Sequence, residues 1–185
     1  MSSKSIKNLM KFPSERTASR RLKFLADNNY LKREKLIYGV PYLYTLTHKG
    51  RMIIGANKRA ENIRLDTIRH NLMVLECVDY VINSYHVTID DITTEKELHR
   101  KDGFGIRYHR PDFIFQLNNE VLAVELELTL KPLNLLSQNI KQNFLTYDRQ
   151  IWFIDKANKK LYENIQKHSS IYDNIMIRFT EVFLS

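Results

Sequence analysis

The stretch RPDFIFQLNNEVLAVELELTLK, residues 110–131, decides how this chain is read. Two apolar-rich runs flank Asn118-Asn119, a dipeptide suited to a two-residue hairpin loop. In the second run Val121, Ala123, Glu125, Glu127, Thr129 and Lys131 share one face of a strand. Leu122, Val124, Leu126, Leu128 and Leu130 share the other, and that leucine face must be buried. A loop at Asn118-Asn119 pairs Leu117 with Glu120, and counting back sets Asp112 opposite Glu125. Opposed residues have Cβ atoms ~5 Å apart, and like charges there destabilise the sheet. A hard divalent cation, Mg²⁺ or Mn²⁺, relieves that repulsion with Asp112 and Glu125 as its ligands. Such an ion polarises a scissile phosphate and activates water. The competing reading is an edge hairpin whose Asp112, Gln116, Glu125, Glu127, Thr129 and Lys131 simply face water.

Working outward from the hairpin, residues 86–92 alternate like a strand and 94–100 suit a helical turn. Gly103 and Gly105 mark a loop before strands over 108–117 and 120–130. A helix over 133–147, a strand over 150–155, a helix over 157–168 and a strand over 175–183 follow. Upstream, Ile68, Leu72, Leu75, Val78 and Ile82 lie at helical spacing in a segment that also holds His70 and Glu76. The order α-β-β-β-α-β-α-β predicts an α+β chain in which a parallel pair lies beside an antiparallel meander.

The 185 residues carry a net charge of +8, and its placement is uneven. Residues 1–70 hold 16 basic and 5 acidic side chains; the remainder hold 13 and 16. A basic segment joined to a near-neutral one fits a polyanion-binding module attached to something else. Hydrophobic residues make up 43%, enough for a core, which excludes disorder. Five Gly and four Pro exclude fibrous architecture. The single Cys77 excludes an intramolecular disulfide and a multi-cysteine zinc site. No apolar run approaches the ~20 residues that span a bilayer. The first twelve residues lack an apolar secretory core, so a soluble, cytoplasmic protein is expected, without a membrane partner.

In the basic segment Ser14 caps a helix over 14–29 that buries Ala18, Leu22 and Leu25. Arg16, Ser19, Arg20 and Lys23 lie on its opposite side. Runs 31–38 and 42–47 around Gly39-Val40-Pro41 read as a hairpin. A helix follows Thr47, running on through 51–85 with a break near Asn57 or Asn62, and a short helix over 4–11 precedes. A major groove accepts the helix 14–29, with Arg forking onto guanine and Lys onto phosphate. Lys32, Arg33 and Lys35 reach the adjacent backbone.

The residues SERTASRRLKFLADNNYLKRE followed by YLYTLTHKG resemble a winged helix-turn-helix module whose usual first helix is truncated. Pro111-Asp112 and Glu125 resemble the motif of the PD-(D/E)XK nucleases, the restriction-endonuclease-like fold with an αβββαβ core. That resemblance implies Asp112, Glu125 and Glu127 as catalytic positions. It departs from the family at Glu127, where lysine is expected. Lys131 shares the face but lies four residues along, ~13 Å by strand rise. Glu95-Lys96-Glu97-Leu98, His109-Arg110-Pro111-Asp112 and Val124-Glu125-Leu126-Glu127-Leu128-Thr129 together resemble the replication-relaxation family of plasmid mobilisation and conjugation proteins. The expected organisation is a winged-helix domain over 1–60 and a nuclease-like domain over 61–185. The implied function is a DNA-binding accessory to replication or transfer initiation. Its expected partners are double-stranded DNA, a relaxase or replication initiator, and a second copy as a homodimer. A metal-dependent endonuclease and a winged-helix transcriptional regulator are the alternatives.

Overall fold

Ser14 begins the longest helix of the basic segment as its position demands: its hydroxyl accepts the Thr17 N–H at 3.1 Å. That helix, α2, spans Glu15–Asp27 and buries Ala18 and Leu22. A short helix, α1, Ser3–Leu9, precedes it. The computed structural model describes residues 3–35, 42–56, 65–102, 105 and 108–180. Strands β1, Leu31–Glu34, and β2, Leu43–Leu46, pair antiparallel with Leu31 opposite Leu46. The expected turn at 39–41 lies outside the described residues. Helix α3, His48–Ile53, is capped by Thr47, whose hydroxyl accepts the Gly50 N–H. It ends at Ile53; the expected break near Asn57 or Asn62 lies outside the described residues.

Helix α4 spans Leu65–Tyr85. The chain forms two compact units, Met1–Asp79 and Tyr80–Ser185, with their division inside α4. In the first unit Asn8 donates to Asp79 at 2.9 Å, tying α1 to α4. Burial raises the Glu76 carboxyl above its ordinary range, against the pull of Lys4.

The second unit is built on five strands: β3, Ile92–Thr94; β4, Phe113–Leu117; β5, Glu120–Glu127; β6, Arg149–Ile154; and β7, Ile175–Phe179. They lie side by side in chain order. The β3-β4-β5 part is antiparallel and the β5-β6-β7 part parallel, as expected of a meander joined to crossovers. Helix α5, Glu95–Asp102, joins β3 to β4. Helices α6, Leu133–Thr146, and α7, Lys159–Ser169, are the crossovers. The class is α+β.

Both faces of the sheet are covered. On one, Phe113, Phe115, Leu122, Val124, Leu126, Ile151 and Phe153 are buried. The end of α4 packs there, with Tyr80 edge-on to Phe153 and Tyr85 tilted against Phe115. On the other, Trp152 and Ile154 meet Leu136 and Ile140 of α6 and Leu161 and Ile165 of α7. Buried Gln150 accepts from the Trp152 indole and donates to Asn174, so its polarity is satisfied.

Several element boundaries differ from the sequence expectation: β1 ends at Glu34 and β7 at Phe179, while residues 36–38 and 181–183 of those expected strands lie outside the described residues. Residues 86–91 are not strand: Asp91 accepts the Thr88 N–H and hydroxyl, closing a 3₁₀ turn at Ile89–Asp91. Residues 108–112 precede β4 as irregular chain, tethered by Arg110 to Asp102. Strand β5 stops at Glu127 rather than running to residue 130.

Candidate functional site

The Asn118-Asn119 loop sets the geometry of the acidic cluster. Both residues have positive φ, 50° and 67°, which fits the mirror-image turn that a two-residue hairpin prefers. The register is the expected one, from Leu117 opposite Glu120 to Phe113 opposite Val124. Asp112 lies one residue beyond that ladder. Its carbonyl accepts the Glu95 N–H at 2.9 Å, and its carboxylate Oδ2 accepts the Leu126 N–H at 2.7 Å. The side chain is therefore pinned against β5, next to Glu125.

The water-facing reading fails for Glu125 and Glu127, while Gln116 and Thr129 are exposed as it expects. Strand β5 is the middle strand, and Glu125 and Glu127 are each 4% exposed. Asn143 of α6 donates to Glu125 Oε1 at 2.8 Å, and His109 Nε2 lies 2.6 Å from the same oxygen. Burial pushes the Glu125 carboxyl above its ordinary range. The His109 hydrogen bond and charge pull it down, the Asp112 charge adds to the rise, and Asn143 lowers it.

Lys131 belongs to this cluster. The strand-rise expectation of ~13 Å assumed a straight strand. Because β5 ends at Glu127, the chain turns and the Lys131 ammonium comes to 2.5 Å from Glu127 Oε2. That buried oxygen has no other partner. Burial works against the charged amine. The Glu127 contact and the charges of Glu127, Glu125 and Asp112 outweigh it and hold the amine above the usual lysine value.

A second tier supports the loop that delivers His109 and Asp112. Arg110 grips Asp102 of α5 with two guanidinium nitrogens, Nε at 2.7 Å from Oδ2 and a terminal nitrogen on Oδ1. The Arg110 hydrogen bond holds Asp102 below the ordinary carboxylate range. Burial raises the Tyr147 phenol; Arg110 opposes the shift, and the charges of Asp102 and Glu125 add to it. Glu97 lies apart in a cap, accepting the Thr94 N–H and hydroxyl, and Glu95 stands 3.7 Å from His99.

Sequence reasoning missed Asn143 and the pairing of His109. Asn143 had a signal: it follows Leu136 and Ile140 at i+7 and i+3, a polar residue on a buried stripe. Carboxylate oxygens at Asp112 and Glu125 have the donor chemistry for Mg²⁺ or Mn²⁺. Among the described residues, no group of three His, Cys, Asp or Glu side chains is placed to hold a metal ion.

The first unit carries a separate basic surface. Arg16, Ser19, Arg20 and Lys23 of α2 and Arg33, Tyr42 and Tyr44 of the hairpin line one open concavity of about 530 Å³. The Arg33 guanidinium sits 3.6 Å over the Tyr42 ring. Lys32 instead pairs with Glu34 at 2.6 Å, and the Lys35 ammonium lies 5.9 Å from the Tyr42 ring centre. Five of the seven residues expected at a DNA surface thus share one concavity. No described helix is long and apolar enough to cross a membrane.

No family model, curated protein or solved structure matches this chain.

Proposed function

We propose that the chain is a DNA-binding accessory protein for replication or transfer initiation on a plasmid or mobile element. In this reading the first unit is a winged helix and the second a nuclease-like domain that engages a relaxase or initiator. The observation that carries it is the concavity shared by Arg16, Ser19, Arg20, Lys23 and Arg33, on the unit that holds the excess positive charge. The α2 side chains suit a major groove, and Arg33, braced on Tyr42, suits the flanking phosphates. Fluorescence anisotropy on a duplex tests it. Replacing Arg16, Arg20 and Lys23 by Ala weakens binding at least ~10-fold, since each phosphate or base contact is worth about 1 kcal/mol or more. Unchanged affinity removes α2 as the recognition helix.

A second reading is favoured by the acidic cluster: a metal-dependent endonuclease. Asp112 and Glu125 would hold Mg²⁺ or Mn²⁺, which supplies Lewis-acid polarisation of a phosphate and an activated water. His109 and Asn143 orient Glu125, the Leu126 N–H orients Asp112, and Lys131 offers a positive charge to a phosphate oxygen. Glu127 stands where the nuclease motif has lysine, and Lys131 is held as an ammonium, which cannot abstract a proton. The expected outcome is Mn²⁺ binding with weak or absent cleavage. Plasmid incubated with Mg²⁺ or Mn²⁺ distinguishes the two readings. Multiple-turnover cutting, lost in Asp112→Asn and Glu125→Gln, establishes the enzyme.

A further inference from the structure

Glu127 and Lys131 form a buried carboxylate and a tethered ammonium at the edge of the acidic cluster. The contact is 2.5 Å, the Glu127 side chain is 5% exposed, and the Lys131 side chain is 37% exposed. The lysine follows the end of β5, so its stem hangs from irregular chain rather than from the sheet. It sits in the combined negative field of Glu127, Glu125 and Asp112. An ammonium is a compact point charge on a flexible four-carbon stem, able to swing where an arginine fork would be fixed. A divalent cation entering the same field meets that ammonium as a like charge.

We propose that Lys131 is a built-in competitor for the cation of the Asp112–Glu125 site: its ammonium neutralises the cluster, and Mg²⁺ or Mn²⁺ enters only as Lys131 swings away from Glu127. The inference rests on the reading of Asp112 and Glu125 as a cation site. It reassigns the lysine from helper of a reaction to regulator of occupancy. The partial exposure of Lys131 supplies the exit, and solvation of the released ammonium offsets part of the lost pairing.

The test is Mn²⁺ titration of the full chain, read as loss of the free-ion electron paramagnetic resonance signal and as a shift in melting temperature. Lys131→Met keeps the apolar stem and removes the charge. It is expected to bind Mn²⁺ at least ~10-fold more tightly than the unaltered chain, because a like charge is gone from the site. Adding Asp112→Asn to Lys131→Met abolishes the gain. Lys131→Met also leaves Glu127 buried and unpaired. The comparison is therefore repeated between Glu127→Gln and Glu127→Gln/Lys131→Met, in which that carboxylate is neutral; tighter binding by the double variant again supports the competitor. Equal or weaker binding after loss of Lys131, with binding still dependent on Asp112, overturns the competitor and leaves the cation site standing. No Mn²⁺ binding by any of these chains overturns both.

Discussion

Asp102 and Arg110 hold the loop that carries His109 and Asp112, and their pairing has a measurable pH signature. The Arg110 hydrogen bond keeps the folded Asp102 carboxyl below its unfolded value of about 3.9. A depressed carboxyl contributes stability above the unfolded value, and that stability is lost as pH falls through the folded value. Urea unfolding from pH 7 to pH 2 is expected to show a steep acid decline below about pH 4, flattened in Asp102→Asn. An identical decline in the variant would mean that the pairing does not persist in solution. Asn143 gives a second check. Its amide is a donor to the buried Glu125, so Asn143→Ala leaves a buried carboxylate short of a partner. The expected loss is about 1–3 kcal/mol in urea unfolding. Asp112 and Glu125 were legible from alternation and loop length alone. Asp102 was not, because an eight-residue span across a loop has no period to read.

Turn chemistry and close backbone approach decide the elements. Asn119 holds φ of 67°, a conformation that asparagine tolerates and a β-branched residue does not. Asn119→Gly is expected to keep or raise stability, whereas Asn119→Val lowers it by about 1–2 kcal/mol and blurs the β4–β5 register. Thermal melts are the check: Asn119→Gly melts no lower than the unaltered chain and Asn119→Val melts lower. In the first unit a Cβ on Gly50 would lie 2.2 Å from the Tyr30 carbonyl oxygen, so α3 sits against the β1 entry only with glycine there. Strand β5 shows where sequence reading stopped. Its alternation of leucine and acid is the pattern of a half-wet strand. Helix α6 nevertheless covers the acidic face, and a partner contributed some 18 residues away, Asn143, is invisible to a strand template. The end of β5 was equally hidden, since Leu128 and Leu130 continue the alternation after pairing has ceased.

At the scale of the whole chain, the element order and the α+β class followed from periodicity, because the helical spacing of apolar residues in α4 and the continuous apolar run of β6 are plain in the sequence. The charge asymmetry was visible in the same way, but a count of lysines and arginines does not say which of them act together. Arg16, Arg20 and Lys23 line one concavity, so the proposed DNA binding is expected to depend on these three together. Each phosphate neutralised on B-DNA contributes about 0.9 to the slope of log binding constant against log salt. Replacing those three by Ala should reduce the slope by up to ~2.7 if all three meet phosphate, and by less where one reads a base. The control removes the same charge from exposed Lys156, Lys159 and Lys160 in the second unit. If binding is local to α2, the control triple variant keeps the parent slope and affinity while the α2 triple variant loses both. Equal reductions in the two would mean that net charge alone attracts DNA, and the concavity would lose its role as a docking surface.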